Sequence, residues 1–252
     1  MKRDLDIRIK TPGEIETLRE AGKILARIVA QIKSSLKIGM TTRDIDQIAE
    51  KLISEEGVLP AFKGYHGFPA CACISVNEQV VHGIPGERVI KAGDIVSIDM
   101  GVVHQGYFSD MAVTVGLGDL DASRQKLLDV TRQALYKGIA QARSGSRLGD
   151  LSHAIQAYVE SKGFSVVRDF VGHGIGRELH EDPEIPNYGH PGTGPVLRPG
   201  MVLAIEPMVN MGGHQTKMLE DGWTVITADR KPSAHFEHTI AVTEDGPVVL
   251  TE

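Results

Sequence analysis

VIKAGDIVSID, Val89 to Asp99, and VLRPGMVLAIE, Val196 to Glu206, are two copies of one pattern set 107 residues apart. Each is a glycine turn feeding an extended apolar strand that ends in a carboxylate. The surrounding sequence extends the match. At offset 106, Gly39 to Gly57 aligns with Gly145 to Gly163 without a gap, pairing Asp44 with Asp150, Ile45 with Leu151 and Ile53 with Val159. A fainter echo sets Phe108 to Thr114 beside Thr239 to Thr243, with Glu237 two residues upstream of the position matching Asp110. A shift of two keeps a strand side chain on the same face, so Asp110 and Glu237 can still point the same way. The chain reads as one domain over residues 1–252, built of two similar halves, approximately 12–118 and 119–252.

Thr11-Pro12-Gly13-Glu14 opens the first helix: Thr11 can cap, Pro12 loses little in the first turn, and Glu14 completes a capping box. Ile15, Leu18, Ala21, Leu25, Ile28, Val29, Ile32 and Leu36 then recur at helical spacing. A second helix is expected from about Thr42 to Glu56, stopping at Gly57. Strands are expected at Ile95 to Met100 and Gly106 to Val115, as a hairpin turning at His104-Gln105, and at Met201 to Pro207 and Phe236 to Val242. The result is an α+β arrangement, helices over a curved antiparallel or mixed sheet with pseudo-twofold symmetry. Neither GxGxxG nor GxxxxGK[ST] follows an expected strand, which counts against a doubly wound nucleotide fold.

Lys+Arg 27 against Asp+Glu 33 gives a net charge of -6, which argues against a surface that coats nucleic acid. Gly 28 and Pro 12 occur without a period, excluding collagen-like and disordered classes. Cys71 and Cys73 have neither the spacing of a redox CxxC nor the ligand number of a structural zinc site. The opening MKRDLDIRIK carries charges where a signal peptide needs an apolar run, and no run of about 18 apolar residues occurs. A reduced, cytoplasmic location without a membrane partner is the expectation.

Asp99 and Glu206 are expected to close equivalent strands. With an unbulged turn at His104-Gln105, residue 99 would pair with residue 110 and set two carboxylates side by side. Like charges in that register repel unless a cation lies between them. One strand aspartate alone is more often an exposed solubility residue. Four carboxylates in matching places across a duplication, Asp99, Asp110, Glu206 and Glu237, are harder to read that way. With one imidazole they make a site for two divalent ions chemically natural, because carboxylates can bridge ions and imidazole suits Mn, Fe, Co or Zn better than Mg or Ca. The expected imidazole is His173 in Phe170-Val171-Gly172-His173-Gly174-Ile175-Gly176, where alternate glycines permit close approach of backbone, metal or substrate. His82 and His180 are further candidates, each read alone as a structural or exposed residue. His66, His104, His153, His190, His214, His235 and His238 are not ranked by chemistry, although His238 would project opposite Glu237 in a regular strand.

The ordered set Gly64-Tyr65-His66-Gly67-Phe68, Ser75-Val76-Asn77-Glu78, His82-Gly83-Ile84-Pro85, Ser97-Ile98-Asp99-Met100-Gly101, Ser109-Asp110, Gly172-His173-Gly174-Ile175-Gly176, Ile205-Glu206-Pro207 and Phe236-Glu237-His238-Thr239 resembles the type I methionine aminopeptidases along essentially the full chain. That resemblance implies a single catalytic domain with the pita-bread fold, two pseudo-twofold-related halves with a curved antiparallel sheet and outer helices. It implies metal-dependent removal of the initiator methionine from nascent proteins and peptides, preferring a small second residue.

The same resemblance implies five metal ligands. Asp110 and Glu237 would bridge two ions, Asp99 would complete one site, and His173 and Glu206 the other. Glu206 would relay the proton from the activated water to the leaving amine, His180 would stabilise the scissile carbonyl oxygen, and His82 would contact the scissile amide or leaving group. The methionine side chain would enter a pocket of Tyr65, Phe68, Cys73, Leu179 and Trp223, with His66 near the mouth. Without the resemblance, Phe68 and Trp223 read as ordinary core aromatics. Leu179 stands where many relatives have Phe, and Phe62 where many bacterial members have a small Cys. Both departures redistribute pocket volume and touch no ligand. Expected partners are polypeptides beginning with methionine, with transient ribosome association, no direct DNA binding and a monomeric state. The resemblance further implies a compact bacterial enzyme, without the metal-binding amino-terminal extension of eukaryotic type I enzymes or the helical insertion of type II. A proline-directed dipeptidase or aminopeptidase shares the fold and ligands but usually carries a further amino-terminal domain. A noncatalytic binding member should have lost a ligand position, and none is lost.

Overall fold

One hairpin organises the sheet. Strands Ile95–His104 and Tyr107–Gly116 pair along their whole length in the computed structural model, which describes residues 5–252. Lys2, Arg3 and Asp4, on which the leader expectation partly rests, lie outside those residues. The turn falls on Gln105-Gly106 rather than His104-Gln105, with left-handed φ values of 49° and 79°. A tight hairpin whose strands twist to the right needs two left-handed residues, and glycine takes one at no steric cost. Moving the turn by one residue moves the register by two. Asp99 therefore faces Ala112, and Asp110 faces Gly101, correcting the expected pairing of 99 with 110. A slip of two leaves both carboxylates on the same face. Asp99 also lies within its strand instead of at its end, whereas Glu206 directly follows strand Val202–Ile205.

Around the hairpin, the main sheet has nine strands, ordered Leu59–Pro60, Ile95–His104, Tyr107–Gly116, Glu237–Thr243, Val202–Ile205, Gly172–Gly174 and Glu181–Ile185 along its central path. Ala72–Val76 and Gly246–Val249 pair onto this path, and every ladder is antiparallel. The halves meet where Glu237 pairs with Ala112. Ala112 thus has Asp99 on one side and Glu237 on the other.

Four helices, α1 (Pro12–Ser35), α2 (Thr42–Glu55), α3 (Ala122–Ile139) and α4 (Leu148–Ser161), cover the outer face. At the start of α1, Glu14 N–H donates to Thr11 Oγ1 at 3.3 Å and Thr11 N–H donates to the Glu14 carboxylate at 2.9 Å, the expected capping box. The duplication is visible at the starts of α2 and α4. Thr41 N–H donates to Asp44 at 2.7 Å and Arg147 N–H to Asp150 at 2.9 Å, while isolated bridges join Thr41 to Val89 and Arg147 to Val196.

Strand alternation then separates greasy from chemical faces. Ile98 and Met100 are buried with Leu25, Ile28 and Ile45 beneath α1 and α2. Leu203, Ile205 and Ile240 are buried with Leu127, Leu151 and Ile155 beneath α3 and α4. Each large aliphatic side chain buried this way contributes about 1.5–3 kcal/mol. His238 also turns to the helix side, where Tyr136 and Thr251 hydrogen-bond its ring, so Glu237 points the other way as alternation requires. The outcome is the pita-bread arrangement, outer helices around a curved antiparallel sheet whose concave face is left to polar chemistry. Among the described residues no helix is long and apolar enough to cross a membrane.

Candidate metal centre

Asp99 and Asp110 come from the hairpin, Glu237 from the strand across the seam, Glu206 from the end of Val202–Ile205, and His173 from the next strand out. All five line one cavity of about 380 Å³. Asp110, His173 and Glu237 form its tightest group, one ligand atom of each lying within 4.8 Å of the others. His173 Nε2 stands 3.5 Å from Glu206 Oε1 and 3.9 Å from Asp110 Oδ2. Asp99 and Glu206 border that group, so the geometry resolves one metal-binding cluster.

The glycines around His173 explain how its strand enters so crowded a place. A methyl group on Gly172 would sit 2.4 Å from the Ala204 carbonyl oxygen, and one on Gly174 would sit 2.2 Å from that of Asp182. At Gly176 the obstacle is Lys10 Cε, at 2.5 Å. Of the three glycines, two make room for neighbouring backbone, one of the approaches expected of them, and the third for a lysine stem that was not expected.

The donor set fits a cation. Burial, then repulsion from neighbouring carboxylates, holds Asp99, Glu206 and Glu237 well above the usual carboxylate range, and burial pushes Asp110 up to about 7. Glu237 Oε1 is buried without a hydrogen-bond partner. His173 Nδ1 lies 2.9 Å from the Gly174 carbonyl oxygen, which can only accept, so Nδ1 carries the proton and Nε2 turns a lone pair toward two carboxylates. Burial, and then nearby His180, lowers the His173 pKa to about 3, keeping that lone pair free at neutral pH. Ionising these buried carboxyls around an imidazole lone pair needs a positive centre between them, which a metal ion supplies.

Beyond the carboxylates the cavity becomes apolar. Tyr65, Phe68, Cys73, Leu179 and Trp223 line it, as do His66, His82, His180 and Phe62. Phe68 and Trp223 meet edge to face with centroids 5.1 Å apart. The Tyr65 hydroxyl lies 2.7 Å from His180 Nδ1, and His180 itself stacks edge-on to His173 at 4.3 Å. Burial first, and then His180, lowers the His82 pKa to about 4. His66 and His82 are two of five non-glycine residues with left-handed φ among the described residues, and both face this cavity. Burial raises the Cys73 thiol well above its ordinary value, so it serves as apolar wall.

Phe170 was not among the expected wall residues. Its ring packs edge-on to His82 at 5.6 Å, and its only sequence signal is its place beside the Gly172 to Gly176 motif. Asn187, whose side-chain N–H donates to the Glu206 carbonyl at 3.1 Å, carried no such signal. His235, unranked among the histidines, reaches within 3.6 Å of Glu206. It closes strand Ser233–His235, outside the strand expected from Phe236 onward, and the sequence carried no signal for its approach.

Comparison with known proteins agrees with this geometry. The profile of Metallopeptidase family M24 matches residues 16–244. Methionine aminopeptidase 1 of Bacillus subtilis strain 168 is 55% identical over 242 residues, covering 96% of this chain and 98% of that protein. The crystal structure of methionine aminopeptidase from Thermotoga maritima superposes with a TM-score of 0.96 at 52% identity, covering 98% and 99% of the two chains. Prolidase from Pyrococcus furiosus shares the architecture less closely, at a TM-score of 0.80 and 25% identity, and 35% of its chain has no counterpart here because the match covers 65% of it. With the cluster, the apolar cavity and these likenesses together, the chain belongs to metallopeptidase family M24, on its bacterial type I methionine aminopeptidase branch.

Proposed function

We propose that this chain is a methionyl aminopeptidase, removing an N-terminal methionine by metal-dependent hydrolysis and preferring a small second residue. The observation that carries the reading is one cavity with an apolar end at Phe68, Cys73, Leu179 and Trp223 and an acidic, imidazole-bearing end at Asp110, His173 and Glu237. A flexible thioether suits the first end, and the bond to be cut then lies over the second.

Asp110 and Glu237 would hold two divalent ions in common, Asp99 completing one site and His173 with Glu206 the other. Mn, Fe, Co and Zn all accept this donor set. When bound, such ions lower the pKa of water and so supply a nucleophile at neutral pH. Glu206 would take the proton from that water and deliver it to the leaving amine, since its carboxylate lies in the same cavity as His173 and within 3.5 Å of its Nε2. The substrate amino terminus would be held at the metal centre with Asp99 nearby, which would restrict cleavage to chain ends. If the Tyr65 hydroxyl donates to His180 Nδ1, then Nε2 of His180 carries the remaining proton and can donate to the carbonyl oxygen as charge develops on it. His82, held neutral by burial, contacts the scissile amide. Its neighbour Phe170 narrows the space for the second side chain.

The same reading makes the chain a single catalytic domain, acting in the cytoplasm as a monomer on peptides and nascent chains, with transient ribosome association. A peptide series varied only at position two, run beside Xaa-Pro peptides and metal analysis, tests it. Met-Ala, Met-Gly and Met-Ser should exceed Met-Leu, Met-Lys and Met-Trp in kcat/KM by about 100-fold, the loss expected when a bulky residue displaces the carbonyl by about 1 Å. Equal turnover of the bulky peptides sinks the pocket assignment, and preference for Xaa-Pro would move the chain to the proline-directed reading.

A further inference from the structure

His235 is a polar side chain sealed inside the protein with nothing to bond. It is 1% exposed, and neither ring nitrogen has a hydrogen-bond partner. Its Nε2 lies 3.6 Å from Glu206 Oε2, while the other carboxylate oxygen, Oε1, faces His173 Nε2 at 3.5 Å. Glu206 therefore sits between two imidazoles, one per oxygen.

The backbone that carries the ring is fixed. His235 N–H donates to Thr114 Oγ1 at 2.9 Å, and Thr114 Oγ1 donates its single proton to the His235 carbonyl at 2.7 Å. Ser97 must then be the donor in its 2.8 Å contact with Thr114 Oγ1. On its other side, residue 235 pairs with Met208. So rigid a mount leaves the ring aimed at Glu206.

We propose that His235 is a positioning residue for Glu206: its Nε2–H donates to Oε2 and so keeps Oε1 turned toward His173. The inference rests on the reading of Glu206 as metal ligand and proton carrier. Closing a 3.6 Å gap to an ordinary hydrogen bond of about 2.9 Å needs only a small rotation of the glutamate side chain. A buried imidazole with both nitrogens unsatisfied opposes folding, and a leucine in its place would not. His235 is thus costly as packing and useful as a donor. Outer partners of this kind orient the ligands they touch and typically change metal affinity or activity by about 10- to 100-fold when removed.

The test compares His235→Leu with His235→Gln, which keeps a side-chain N–H donor. Three quantities are measured: the Tm of metal-free protein, Mn2+ affinity by calorimetry, and kcat and KM on a Met-Ala-Ser peptide. The expected result for His235→Leu is an unchanged or higher Tm, Mn2+ affinity and kcat lowered by about 10- to 100-fold, and KM little altered. His235→Gln should recover most of both losses, and in a Glu206→Gln background His235→Leu should add no further loss of Mn2+ affinity. Retained affinity and kcat in His235→Leu overturn the proposal. So does a fall in Tm that His235→Gln does not restore, which would mark the ring as packing. If the parent protein cleaves no methionyl peptide, the proposed function fails, while the Mn2+ measurements still decide the role of His235.

Discussion

The two halves of the molecule share a frame and arm it differently. In the first, Asp99 and Asp110 sit on one hairpin whose two strands are ten residues each. In the second, His173, Glu206 and Glu237 are carried at strands of three, four and seven residues. A long hairpin supports its own register through its ladder, whereas a strand as short as Gly172–Gly174 is held by what surrounds it. The duplicated features are those of the frame: the caps of α2 and α4, the bridges at Thr41 and Arg147, and the turns at Gly93 and Gly200 with φ of 85° and 90°. Among the proposed metal ligands, imidazole enters on one side only. Duplication supplied the scaffold, and departure from symmetry supplied the donor diversity.

The sharpest way to break that comparison is at the ligands. His173→Ala should lose one ion and lower kcat by more than the 10- to 100-fold typical of outer partners. Glu206→Gln keeps volume and an oxygen donor, so it should lower kcat strongly while retaining part of the metal. Metal content and kcat measured together distinguish them, and parental activity in either at saturating metal would remove that residue from the centre.

Next in size is the support of the second half. Lys10 Nζ lies 2.6 Å from Glu181 Oε2, with side chains 5% and 2% exposed, and the same carboxylate accepts from Arg177 N–H at 2.8 Å. Glu181 directly follows His180. Lys10→Met would leave the buried Glu181 carboxylate with the more distant Arg8 guanidinium, 3.6 Å away, in place of its close ammonium partner, and should lower stability by about 3 kcal/mol in denaturant titration. A loss below about 1 kcal/mol would show the pair to be no stronger than a surface bridge. In the first half, Gly106→Ala should lower stability by about 1 kcal/mol, because alanine at φ 79° is strained. No change there would mean that the turn relaxes without shifting the strands.

A smaller effect is set by proton competition. Asp110, with a pKa near 7 when folded and metal-free, against an ordinary value of 3.8, contributes stability below about pH 3.8 that is lost as pH rises through 7. His173, lowered from 6.5 to about 3, contributes stability above 6.5 that is lost as pH falls toward 3. Between pH 5.5 and 8, metal therefore competes with protons on carboxylates and not on His173. The Tm gain from saturating Mn2+ should grow across that range. Equal gains at both ends would mean that the carboxylates are already ionised without metal. Smallest of all, Leu179→Phe should shift KM for methionyl peptides and leave metal content unchanged, since Leu179 lines the apolar wall and is not one of the proposed ligands.

Much of this was legible in the sequence because it depends on periodicity and turn chemistry. The cap at Thr11, the reach of α2 and the placement of His238 opposite Glu237 all follow from local rules. The hairpin register did not, since His104-Gln105 and Gln105-Gly106 differ only in which pair accepts left-handed φ. The motif at 172–176 signalled close approach, but the identity of the approaching groups, Ala204, Asp182 and Lys10, is a fact of tertiary contact. The same holds for His235 and Asn187, whose partners lie 29 and 19 residues away at Glu206.

Lys10 has a further consequence, for the order in which the protein can be completed during synthesis. Its backbone N–H donates to the Gly200 carbonyl at 2.8 Å, and its ammonium needs Glu181. In α1, Gly22 lies so close to Leu250 that a methyl group there would meet the Leu250 carbonyl oxygen at 2.2 Å. The first helix emerges from the ribosome early, yet the residues that receive it and the segment leading into it, Glu181, Gly200 and Leu250, are made much later. Such long-range contacts delay final assembly until those later residues are available. The catalytic cavity, walled by the loop that Lys10 anchors, is therefore closed only once residues far along the chain have been made.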